Sequence, residues 1–135
     1  QEVNQILVGD SSIDDIECAK TMVDAKGFVR MTIDKRAVTP EERDKYQFTG
    51  EAIGILKFSK NYRDDMFHAC TQFLADEKNI SKNWEHVMNQ FLLTHEMSVH
   101  QSISNQWVEI DNKDDYERAK KLFGETNAEK IGVTR

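Results

Sequence analysis

The sequence predicts an α/β fold, a mixed sheet with flanking helices, and three observations carry that expectation. Two β-prone runs at 17–23 and 28–33 are joined by Asp24-Ala25-Lys26-Gly27, a four-residue loop ending in glycine that reads as a hairpin. Residues 52–58 are apolar at nearly every position, the pattern of a strand covered on both faces in the interior of a sheet. Two stretches in the middle of the chain repeat apolar residues at steps of three and four, the spacing of helices with one buried face. Three strands, two helices, two strands and a helix make a mixed unit of α/β or α+β class, with α/β preferred.

Each element has its own grounds. Residues 6–9 form a short apolar run, readable as a strand or as the tail of a preceding helix, and 10–15 are polar and turn-like. Thr39-Pro40-Glu41-Glu42 has the grammar of a helix start: a capping hydroxyl, proline at the first helical position, then acids on the positive end of the dipole. That helix is short, because Phe48-Thr49-Gly50 breaks it. Ser59 is placed to cap the next helix, whose stripe is Tyr62, Met66, Cys70 and Phe73. A second helix over 83–94 sets Trp84, Val87, Met88, Phe91 and Leu92 on one face. Residues 97–103 and 106–110 are two short β-prone runs, and 114–123 is a last amphipathic helix. The domain is expected to occupy 1–123, with 124–135 a polar tail.

Composition narrows the function classes. At 135 residues, 39% hydrophobic and 31% charged, the chain is one domain able to bury its own core. No apolar run approaches the ~20 residues of a membrane span, and no basic, then apolar leader opens the chain. The first residue is Gln1 rather than Met, so the chain reads as processed or as a piece of a longer one. A net charge of −6 is the wrong sign for coating phosphates, which argues against nucleic acid as partner but leaves a small phosphorylated ligand open. Cys18 and Cys70 form no CxxC pair and are expected to be free, buried thiols in a cytoplasmic protein. His68, His86, His95 and His100 make no HExxH and no pair backed by cysteines, so zinc is not expected.

Asp111 is the first candidate for chemistry. A strand over 106–110 would leave its carboxylate at the strand tip, where it can hold a cation against a phosphate; acids there also serve a following helix N-terminus. The segment WVEIDNKDDYERAKKLF at 107–123 resembles the closing motif of the nucleotidyltransferase family that includes phosphocholine and aminoethylphosphonate cytidylyltransferases and sugar-phosphate nucleotidyltransferases. FTGEAIGILKFS at 48–59 is similar to that family's acceptor-pocket strand, and VDAKGFVRMTIDK at 23–35 resembles its hairpin, both in the family's order. The resemblance implies the C-terminal part of a Rossmann-like nucleotidyltransferase fold. It also implies that Asp111 binds the catalytic Mg²⁺, that Lys35 lies near phosphate, and that Gly50 and Glu51 close the acceptor pocket. Trp84, with Tyr46, is a candidate for a cation–π cage around the acceptor, against the competing reading of Trp84 as core.

The implied reaction is transfer of a nucleotidyl group from a nucleoside triphosphate, CTP by preference, to phosphocholine, a phosphonate or a sugar phosphate, with release of pyrophosphate. Two parts of the family pattern are missing. The Gly-rich nucleotide loop has no counterpart, so the chain is expected to be inactive alone and to need an N-terminal fragment or second chain. The aspartate that shares the metal with Asp111 has no evident match unless Asp10 belongs to that neighbourhood. The alternative is a non-catalytic half-domain, an interaction or regulatory module with a covered sheet edge. A further lead, the esterase-like Gly9-Asp10-Ser11 with Asp65 and His68 as acid and base, conflicts with their mid-helix position.

Overall fold

The computed structural model describes residues 3–102 and 107–124. The chain falls into two units, Gln1–Ser102 and Ile103–Arg135. The first is an α/β unit built on a five-stranded mixed sheet with flanking helices. Its strands are β1 (Gln5–Gly9), β2 (Lys20–Val23), β3 (Val29–Ile33), β4 (Gln47–Lys57) and β5 (Ser98–Gln101), in the spatial order β3-β2-β4-β1-β5. Only β1 and β5 run parallel; the remaining pairs are antiparallel.

The expected hairpin is β2–β3. Gly27 takes φ +82°, a left-handed turn conformation that a side chain disfavours. Asp24 holds the loop, its Oδ1 accepting from the Lys26 and Phe28 N–H groups and its Oδ2 from Arg30 Nε at 2.8 Å. The first strand begins at Lys20 rather than 17, because pairing with β3 starts where Lys20 faces Ile33.

The short helix α1 (Pro40–Lys45) opens on a reciprocal capping box between Thr39 and Glu42. Beyond it the chain departs from expectation. Phe48-Thr49-Gly50 does not merely end a helix; it belongs to β4, an 11-residue strand that serves two partners in turn. Its first half pairs with β2 and its second half with β1. The strand is central in the sheet, as its apolar sequence predicts, yet Ile55 is 59% exposed.

Helix α2 (Arg63–Leu74) buries Phe73, and α3 (Trp84–Phe91) buries Val87, Met88 and Phe91. Ser59 starts α2 differently from its expected role as a hydroxyl cap. Its carbonyl accepts from the Tyr62 and Arg63 N–H groups, while its buried Oγ has no partner among the described residues. The main core joins the sheet (Ile6, Val8, Val23, Val29, Ala52) to α3 (Met88, Phe91) with Leu92 and Met97. A smaller cluster gathers Met22, Ile33 and Val38. Asn89 of α3 clasps edge strand β3, accepting from Thr32 N at 2.7 Å and donating to Thr32 O at 2.8 Å. That satisfies backbone groups an edge strand would otherwise leave open.

The second unit contributes α4 (Lys113–Phe123) among its described residues, capped by Asn112, whose side chain accepts from Asp114 N and Asp115 N. The expected strand over 106–110 is not formed at 107–110. β-propensity needs a neighbouring ladder to act on, and the described part of this unit contains no strand. Residues 103–106 and 125–135, the end of one expected strand and nearly all of the polar tail, lie outside the described residues.

Candidate functional site

Several chemically useful groups lie at the carboxyl end of β1. In an open sheet with parallel strands this is the edge where ligands bind, because loops leave there and backbone groups go unpaired. β1 ends at Gly9, Asp10 follows, and its parallel neighbour β5 ends at Gln101, whose Nε2 donates to Asp10 Oδ1 at 3.3 Å. On the other side of β1 sits Glu51, cross-strand partner of both Gly9 and Lys20. Glu51 is thus the point where β4 changes partner.

Gly50 makes that geometry possible. It has φ +136°, and a Cβ at this position would stand 2.4 Å from the Gly9 carbonyl oxygen. Only glycine lets the strands approach this closely. Lys20 is wholly buried, with Nζ donating to the Cys18 carbonyl at 3.1 Å. Burial pushes the Cys18 thiol up, opposed in part by a hydrogen bond with the Ser11 side chain.

The other expected site residues are dispersed. Lys35 sits past the carboxyl end of β3 with φ +39°, its side chain 60% exposed and 3.8 Å from Glu17. The row Ile33, Lys20, Glu51, Gly9 crosses four strands, so the ends of β3 and β1 are about three strand spacings, or ~14 Å, apart along the sheet. Lys35 and Asp10 lie just past its two ends. Trp84, half-buried, packs against the main core, whereas Tyr46 packs against the smaller cluster; the two rings do not share a cage. Asp111 is exposed and precedes the α4 cap, its N–H donating to Asp115 Oδ2 at 3.3 Å. Cys18 and Cys70 are free thiols, Cys18 buried and Cys70 half-buried. Asp65 holds His95 at 3.1 Å, which ties the esterase-like acid to a different histidine from the one its spacing suggests.

A second polar group was not legible as a site. Asp34, after β3, and Glu85 and His86, in the first turn of α3, bring two carboxylates and an imidazole to one corner of the unit. Asp34 Oδ2 accepts from Asn83 Nδ2 at 2.8 Å and lies 4.0 Å from His86 Nδ1. Burial pushes the Glu85 carboxyl up, and the Asp34 charge adds to the effect. In the sequence Glu85 is one of many acids at helix starts, and nothing marks it as buried.

Among the described residues no set of three or more His, Cys, Asp or Glu is arranged to hold a metal ion, and no helix is long and apolar enough to cross a membrane. Compared with known proteins, the chain matches no family model and finds no match in a search of curated proteins.

Proposed function

We propose that this chain is the C-terminal part of a Rossmann-like nucleotidyltransferase that uses Mg²⁺ to move a nucleotidyl group, from CTP by preference, onto a small phosphorylated acceptor. The observation that carries the reading is the Gly9–Gly50 approach, which puts Glu51 beside the strand end that leads into Asp10. Asp10 lies at that strand end, where its carboxylate accepts from Gln101 Nε2. The three matched segments, in family order, supply the rest of the support.

Mg²⁺ takes hard oxygen ligands and is commonly bound by one or two carboxylates together with substrate phosphates, so it needs no preformed set of three protein ligands. Asp111, which the resemblance assigns to the metal, is the right donor type and would hold it. When bound, the ion supplies charge neutralisation at the reacting phosphate. The chain's own groups do the positioning. Glu51 accepts hydrogen bonds from the acceptor, Lys35 offsets phosphate charge, and Lys20 fixes the loop end at Cys18 through its buried ammonium. The acceptor oxygen attacks the α-phosphorus in line, and pyrophosphate leaves.

The test is Mg²⁺-dependent pyrophosphate release from CTP and a phosphorylated acceptor, using the chain together with whatever its gene encodes upstream of Gln1. Asp111→Ala is expected to lower turnover at least ~100-fold, the scale of losing a principal electrostatic contact. Turnover within threefold of the parent would remove Asp111 from the metal site. The alternative of a non-catalytic module draws on exposed Phe67, Leu74 and Ile80, which are 66%, 55% and 67% accessible. A stable monomer by native mass measurement, with no nucleotide binding, would favour it.

A further inference from the structure

We infer that the outer face of α2 is a dimer interface, seated against α2 of a second copy of this chain running antiparallel. A helix that packs on one side needs one apolar stripe, and α2 carries two. Its inner stripe serves the unit's own core: Met66 packs against the main cluster and Phe73 is buried. The second stripe, Phe67, Cys70 and Leu74, lies roughly 90° round the helix from the first. Phe67 is 66% and Leu74 55% exposed, with half-buried Cys70 between them. Steps of three and four along a narrow stripe are the spacing by which one helix seats against another. Thr71, a polar neighbour on this side, satisfies its own hydroxyl, Oγ1 donating to the Phe67 carbonyl at 2.9 Å, and so asks for no partner across the face.

Charge identifies the occupant. Arg63 opens the helix, its last turn has no basic residue, and Asp76 and Glu77 follow its carboxyl end. Arg63 and Glu77 each stand seven positions from Cys70. A copy turned about a two-fold axis near Cys70 brings Arg63 of each chain toward Glu77 of the other, and Phe67 of each toward Leu74. A surface complementary to itself in this way makes an isologous contact, which closes with two copies. A parallel pair would instead set Arg63 against Arg63 and Glu77 against Glu77. Within one chain Arg63 holds Asp64 at 3.0 Å, but both side chains are largely exposed, so that pair is worth little and is readily exchanged.

The apolar residues supply the affinity and the charges set the direction. A seam along one 12-residue helix falls short of the ~1,200 Å² of a standard interface, so the dimer is weak and its population depends on protein concentration. Such a dimer stands independently of nucleotidyl transfer.

Sedimentation velocity on the full chain, from about 10 μM to about 1 mM, is expected to show monomer passing to dimer. Phe67→Glu is expected to weaken association at least ~10-fold, as loss of an apolar anchor does, with the far-UV circular dichroism unchanged because the side chain is exposed. Arg63→Glu and Glu77→Arg are each expected to weaken it about two- to fivefold, the scale of an exposed ion pair, and the double variant to restore it. A bismaleimide whose spacer matches the ~8–10 Å between packed helix axes should join two copies through Cys70, since Cys18 is buried, and Cys70→Ser should abolish the product. A monomer at every concentration, a dimer untouched by Phe67→Glu, a charge swap that fails to restore association, or a dimer that gives no Cys70 product overturns the inference. A dimer that disappears when the segment encoded upstream of Gln1 is present also overturns it, and assigns this face to that segment.

Discussion

Replacing Glu85 by Gln should stabilise the protein at neutral pH and do nothing at acidic pH. The carboxyl is buried on the first turn of α3, one of its oxygens lacks a partner among the described residues, and Asp34 adds like charge. Burial therefore raises its folded-state pKa above the unfolded one, and the sign of the linkage follows. The stability that the protonated group contributes is complete below the unfolded value of 4.5 and is lost as pH rises through the raised folded value. Glutamine keeps the volume, removes the charge and can donate its amide toward Asp34. Relief of one unsatisfied buried polar group is worth about 1–2 kcal/mol, at the lower end of the usual range because Asp34 still carries its charge. For a unit of this size that corresponds to a rise in Tm of roughly 4–16 °C. Urea unfolding of parent and variant at pH 4 and pH 7.5 measures it directly. A gain at pH 7.5 that vanishes at pH 4 is expected. A loss at both pH values, or a gain independent of pH, would refute the account of Glu85 as an uncompensated carboxylate.

Two further perturbations act elsewhere in the fold. Gly50→Ala drives a methyl group into the Gly9 carbonyl and forces alanine to φ +136°, so it should destabilise by about 2–4 kcal/mol in urea unfolding; a change under ~0.5 kcal/mol would deny the close approach. Arg36→Ala removes the 2.6 Å bond to Glu42, whose carboxyl the guanidinium holds down at about 2. A depressed carboxylate stabilises above its unfolded value of 4.5 and loses that contribution as pH falls toward 2. With Arg36 half exposed, the variant should lose only ~1 kcal/mol at pH 7, and the difference from the parent should close below pH 3 in acid denaturation curves.

Local chemistry made much of the fold legible. The Thr39-Pro40 helix start and the Gly27 hairpin were readable because each depends on residues within a few positions of one another. What escaped was set by partners distant in sequence. Nothing in Phe48-Thr49-Gly50 announces that these residues extend β4, since the deciding contacts are with β2, nearly 30 residues earlier. Trp107 to Ile110 has the composition of a strand but meets no ladder among the described residues. At the candidate site, Gly50 and Glu51 stand next to Gly9 and so to Asp10, while Lys35 stands across the sheet. Lys20 and Glu85 were invisible because burial of a charge leaves no mark on sequence periodicity.

The separation of Lys35 from Asp10 changes what each can be asked to do. The ends of β3 and β1 are ~14 Å apart, more than one phosphate spans, so Asp10 and Lys35 would meet different parts of whatever is bound. The row between their strands is not inert: Ile33, Lys20, Glu51 and Gly9 lie in register across it, with a buried cation and a carboxylate as direct neighbours. Ile33 and Lys20 are fully covered, so the row is packed sheet and keeps the two ends apart as separate surfaces. Site-directed change at the two ends therefore separates the roles. Under the proposed nucleotidyl transfer, assayed as pyrophosphate release by the chain with what its gene encodes upstream of Gln1, Lys35→Met should raise the KM of the phosphorylated acceptor, whereas Asp10→Asn should leave that KM unchanged; an equal rise in both would refute the separation.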